Sequence, residues 1–147
     1  MNFSKDFKIS QTMTISDGAA ATTDITGATL DMQGYDGVIF IITFGAIVAG
    51  AVTSIKAQQG EAAGMGDAAD LLGSGQTIAD TDDNKTFFID IYKPTDRYVR
   101  AFVDRGTQNA TVQHITAIQY KGSKLPVPAH GTDVAGELHI SPAEGTA

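Results

Sequence analysis

The chain has 147 residues, no cysteine and no tryptophan, and ten Lys+Arg against seventeen Asp+Glu give it a net charge of −7. That length fits one domain burying roughly 68–70% of the surface its unfolded chain exposes. The missing cysteines exclude disulfides, thiolate zinc sites and cysteine nucleophiles, and the acidity argues against a nucleic-acid partner, because neutralising phosphates needs clustered Lys and Arg.

Met1 to Ser16 alternates polar and apolar residues and lacks the apolar core of a signal peptide. It reads as an extended N-terminal arm, residues 1–16, ahead of a single sandwich domain, residues 17–147. Phe7, Ile9, Met13 and Ile15 mark a first extended segment closed by Asp17-Gly18. Thr22 to Met32 is a second, with Gly27 at a bulge position. Gly34 to Gly37 then turns the chain into Val38–Phe44, whose β-branched and aromatic residues favour a buried strand.

From Gly37 to Ile55 no residue is charged, a stretch close to the ~20 residues of a membrane-spanning helix. Gly45 and Gly50 interrupt it, alternation resumes over Val52–Gln58, and the flanks lack Lys/Arg clusters. Two buried strands are therefore expected, with no membrane partner. The glycine-broken run Gly60–Gly75 reads as a flexible surface loop in which Asp67–Ala69 is a candidate helical turn. A short strand at Gln76–Ala79 precedes the polar turn Asp80–Lys85.

Two strand-like runs follow, Thr86–Tyr92 and Arg97–Val103, around a turn containing Pro94, Thr95 and Asp96. Proline presets the turn backbone and Thr/Asp bond to it locally, so a β-hairpin is expected. In Ala110–Tyr120, Val112 and Ile115 are out of phase, which requires a bulge or burial on both faces. Lys121–Asp133 reads as an irregular connection and Glu137–Ile140 as one last short strand. No apolar stripe of helical period exceeds two turns. The expected fold is all-β, a jelly-roll-like antiparallel β-sandwich of about eight short strands.

Catalytic patterns are weak. Asp80, Asp82, Asp83 and Asn84 begin like a calcium loop, but Lys85 stands where the turn glycine belongs and Ile91 where the bidentate acid belongs. His114, His130 and His139 match no zinc spacing. Gly73-Ser74-Gly75 lacks the spacing of a nucleophile elbow. No metal, cofactor or catalytic residue is assigned, and the chain is not expected to be an enzyme. The densest basic cluster is Arg97, Arg100 and Arg105 with Lys93. Tyr98, Arg100 and Phe102 share one strand face, opposite Val99, Ala101 and Val103. Arginine and aromatic residues together have the composition enriched at protein interfaces. Arg97, Tyr98, Arg100 and Phe102 are accordingly candidate protein contacts, with Phe3, Phe7 and Ile9 of the arm.

Asp90-Ile-Tyr-Lys-Pro94 followed by Arg97-Tyr-Val-Arg100, the lead-in Gly34-Tyr-Asp-Gly-Val38 and the end Ser141-Pro-Ala-Glu-Gly-Thr-Ala147 resemble small virion proteins of tailed bacteriophages. The likeness runs from about Gly34 onward. It implies a structural protein on the capsid surface, made in the host cytoplasm, that binds the major capsid protein as a cement or decoration protein. A homo-oligomer, dimer or trimer, is implied with it. Alternatives are a tail or head–tail joining protein and a carbohydrate-binding β-sandwich.

Overall fold

A computed structural model of the chain describes residues 2–140 and residue 144, and in it the alternating apolar pattern becomes two antiparallel sheets packed face to face. The strands are β1 (Lys8–Gln11), β2 (Ile25–Thr26), β3 (Leu30–Asp31), β4 (Tyr35–Ile47), β5 (Thr53–Gly60), β6 (Ala69–Asp70), β7 (Gln76–Ile78), β8 (Thr86–Tyr92), β9 (Tyr98–Arg105) and β10 (Ala110–Gly122). One sheet runs β1-β10-β4-β8. The other runs β2-β9-β5-β6, with β3 also on β9 and β7 also on β5. If β2/β3 and β6/β7 each count as one position, the ten strands fill eight. First pairs with eighth, second with seventh, third with sixth and fourth with fifth.

Strand parity builds the core. Val38, Phe40, Ile42 and Phe44 of β4 point inward with no exposed surface, as do Ile55 and Ala57 of β5 and Val99, Ala101 and Val103 of β9. Each large apolar side chain so buried contributes about 1.5–3 kcal/mol. In β10 the register shifts between Ala110 and Val112 and again between Val112 and His114. That irregularity lets Val112 and Ile115 both face inward despite their spacing. It also sends Ile118 and Tyr120 to the outer face, opposite Val112.

Several expectations are corrected. The runs flanking Pro94 are strands, but they do not form a hairpin: β8 pairs with β4 in one sheet and β9 with β5, β2 and β3 in the other. The connection crosses the sandwich, starting at Lys93 with φ +53. Its turn residues encode the change of direction but not the destination. Thr22–Met32 divides into β2 and β3 at Gly27, whose N–H donates to the Ala101 carbonyl at 2.9 Å. A Cβ there would stand 2.8 Å from that oxygen.

Residues 1–16 are not a uniformly extended arm. Phe3–Asp6 forms one helical turn, α1, in which the Asn2 N–H donates to the Asp6 carboxylate at 2.6 Å. β1 then lies in its own sheet against Gln119–Thr116 of β10.

No helical turn forms at Asp67–Ala69. The Asp67 carboxylate instead accepts the N–H of Glu61 at 2.8 Å, and β6 follows. Glu137–Ile140 forms no strand. Of Ser141–Ala147, which carries part of the resemblance, all but Glu144 lies outside the described residues.

Candidate contact surface

The two outer faces of the sandwich differ in chemistry. On the face built by β9 and β5, polar groups satisfy one another. Asp70 accepts from Lys56 Nζ at 2.7 Å and from Gln58 Nε2 at 2.8 Å, while Gln58 Oε1 accepts from Arg100 Nε at 2.8 Å. Arg97 forks onto Asp31, Nε to Oδ1 at 3.0 Å and Nη2 to Oδ2 at 2.7 Å, and it also reaches Gln33 Oε1. The Arg97 hydrogen bond, before other causes, holds the Asp31 carboxyl below its ordinary pKa. Arg97 lies 5.2 Å from the Tyr98 ring centroid and Lys56 Nζ lies 5.0 Å from that of Phe102.

The candidate contacts Arg97, Tyr98, Arg100 and Phe102 therefore lie close together, engaged with their own chain. Arg105 leaves the cluster altogether. It is 2% exposed, and its guanidinium donates to the carbonyls of Thr23, Ala19, Ala110 and Asp17. Burial lowers its pKa. This arginine is structural: it ties residues 17–23 to β9 and β10.

The other outer face, on β1, β10, β4 and β8, carries large apolar side chains among polar ones. One row across the strands is Ile9, Ile118, Ile39, Asp90, and the next is Gln11, Thr116, Ile41, Phe88. Tyr120 and Tyr92 flank Gly37 in a third row. Phe88 is 62% and Tyr92 52% exposed, with the isoleucines half-buried. Tyr120 Oη donates to Asp90 at 2.6 Å, and burial together with that carboxylate raises the phenol's pKa. Lys121 Nζ lies 4.6 Å from the Tyr92 ring centroid.

Of the residues expected at a contact, only Ile9 falls in these rows. Phe3 and Phe7 precede it, stacked on each other at 4.6 Å. The structure thus separates the two candidate groups instead of joining them, with Ile9 and the arginine-bearing strand on opposite outer faces. Ile39, Ile41, Phe88, Tyr92, Ile118 and Tyr120 were missed. A signal was present: Val38–Phe44 has Ile39 and Ile41 where a strand with one wet face would alternate to polar residues.

The acidic run 80–84 does not converge on a cation. Asp80 accepts from the Gly50 N–H at 2.9 Å, Asp83 from Ile47 N–H at 2.7 Å and Asp82 from Ala79 N–H at 2.9 Å, which pins the β4–β5 turn. His130 Nδ1 accepts the Ile9 N–H at 3.2 Å, whereas His114 sits by Thr116 and His139 by Glu137. Among the described residues no three His, Cys, Asp or Glu side chains group as metal ligands. No helix of the described residues is long and apolar enough to cross a membrane. No family model, curated protein or solved structure matches the chain.

Proposed function

We propose that this chain is a non-enzymatic structural protein of a tailed-phage virion, a jelly-roll cement or decoration protein that binds the capsid shell and stabilises it. The observation that carries the reading is the apolar outer face of β1, β10, β4 and β8. A row of isoleucines beside exposed Phe88 and Tyr92 is suited to burial against a partner. Its partner is the major capsid protein. Binding only the assembled shell stabilises that state by mass action and needs no chemistry.

The strand pairing supports the jelly-roll reading, because first-with-eighth through fourth-with-fifth pairing is how two Greek keys roll up. The sequence resemblance supplies the virion setting, and the net charge of −7 favours a neutral or basic patch on the shell.

The test is co-sedimentation with purified shells. Wild-type protein is expected on the shell, whereas the Ile41→Lys, Phe88→Lys double variant is lost from it with an unchanged circular dichroism spectrum. Finding the protein in the tail, or equal binding by the variant, overturns the reading. One observation favours a second reading, a carbohydrate-binding sandwich: the Tyr92 and Tyr120 rings lie 6.5 Å apart and within 6° of parallel. A glycan array checks it.

A further inference from the structure

Among the described residues the sandwich protects three of its four sheet edges. The free side of β1 is covered by the chain's own downstream segment. Val127 N–H donates to the Lys5 carbonyl and Gly131 N–H to the Ile9 carbonyl, both at 2.7 Å. Both edges of the β9–β5 sheet consist of strands of two or three residues, β2 and β3 on one side and β6 and β7 on the other. Very short edge strands offer little to pair with.

β8 is the exception, a seven-residue edge strand. Hydrogen bonds at its two ends fix which groups face β4: Phe44 N–H to the Lys85 carbonyl at 2.9 Å, and Lys93 N–H to the Asp36 carbonyl at 2.7 Å. In an antiparallel ladder bonded pairs alternate. Phe87, Ile89 and Ile91 are therefore bonded to β4, and Thr86, Phe88, Asp90 and Tyr92 direct their N–H and C=O groups to the open side. Among the described residues one of these groups has a partner there: the Phe88 carbonyl accepts from Gln76 Nε2 at 2.9 Å. Alongside the edge runs a groove of about 480 Å³ where Leu71, Leu72, Ile91 and Pro94 alternate with polar residues such as Gln76 and Thr95. Leu72 is fully exposed.

The same chain contains a strand pattern without a strand. Glu137-Leu-His-Ile140 alternates polar and apolar residues, yet among the described residues it has no strand partner, and Ile140 is 80% exposed. It follows the segment on β1, at the opposite edge of the sheet that β8 ends.

We infer that the open edge of β8 receives residues 137–140 of a second copy of this chain as an added strand. Main-chain bonds to Phe88, Asp90 and Tyr92 supply the pairing. Leu138 and Ile140 share one face and fill the groove, as alternate side chains do when a peptide extends a sheet. The donor and acceptor surfaces differ, so two copies exchange tails about a twofold axis or further copies join head-to-tail, and the measured mass tells the two apart. The groove favours a lone strand over a second whole sandwich, since its far wall at Leu71 and Leu72 stands beside the edge. This inference is independent of the shell-binding reading, because self-assembly and shell occupancy are measured separately.

The test uses the full chain and light-scattering mass against concentration. Wild type is expected to assemble. The tail variant Leu138→Asp, Ile140→Asp, altered at exposed positions, is expected to be a monomer with an unchanged circular dichroism spectrum. The edge variant Asp90→Pro removes one open-side N–H and is expected to be a monomer too. Mixing the two restores a one-to-one complex, because an intact tail meets an intact edge. A tail variant that assembles like wild type overturns the inference, whether or not the edge variant folds. So does wild-type protein that stays monomeric at every concentration.

Discussion

Arg105 Nη1 donates to the Ala19 carbonyl at 2.8 Å, joining residues that stand 86 apart in the chain. The same guanidinium satisfies three other carbonyls, so it closes a segment that otherwise has little regular structure. Arg105→Met keeps the apolar stem and strands those acceptors. Breaking a buried, charge-assisted network of this kind costs about 2–4 kcal/mol. Urea denaturation should show a lowered midpoint, and amide exchange should quicken first in residues 17–24. A midpoint equal to wild type would mean that water replaces the arginine at no cost.

Phe40 and Ile41 are neighbours on opposite faces of β4, one with no exposed surface and the other half-buried on the outer face. Phe40→Ala should destabilise the fold by about 3–5 kcal/mol through lost transfer energy and a cavity. Ile41→Ala should cost much less in the isolated chain and act chiefly on binding. Comparable losses in thermal denaturation would contradict the assignment of faces.

Asp31 has a lowered pKa because Arg97 bonds its ionised form. A lowered carboxyl pKa stabilises the fold above the ordinary carboxylate value, and that contribution disappears as pH falls through the lowered one. Asp31→Asn should therefore be less stable than wild type near neutrality, and the gap should close in acid. Both residues are well exposed, so the gap should be small and should shrink further in 1 M salt. A gap that widens in acid would reverse the sign argued here.

Gly37 makes room for an aromatic ring. A Cβ at that position would stand 2.3 Å from Cζ of Tyr120. Gly37→Ala should swing the ring away, break its 2.6 Å bond to Asp90 and separate it from Tyr92. Near-ultraviolet circular dichroism of the tyrosines should change while the far-ultraviolet spectrum holds. An unaltered near-ultraviolet signal would count against the packing.

Strands with strong alternation were legible in the chain, and Thr86–Tyr92 matches β8 residue for residue. Pairing was not. Pro94, Thr95 and Asp96 form the kind of turn that serves a hairpin and a crossing between sheets equally well, so local chemistry cannot choose between them. Arg105 shares the parity of Val99, Ala101 and Val103, all of which point inward, so its burial is legible in the strand pattern. Nearness in sequence to Arg97 and Arg100 says nothing of which face Arg105 takes. The apolar outer face was overlooked because Val38–Phe44 reads as buried on both sides, and only its pairing with β8 and β10 shows which half is left uncovered in the lone chain. Ile9 is expected at a contact as part of the arm, and its cross-strand neighbours Ile118 and Ile39 come from strands that only tertiary structure brings together.

The pairing of Lys8 with Gln119 bears on how a cell makes this protein. β1 leaves the ribosome long before its neighbour β10 is synthesised. Meanwhile Val38–Phe44 emerges long before either flanking strand. Closing such long loops precedes any reward from the sheet, so folding should be slow and should wait until β10 has emerged. Until then the apolar stretch is exposed to solvent, and yield should depend more on chaperone supply and growth temperature than on the stability of the finished sandwich.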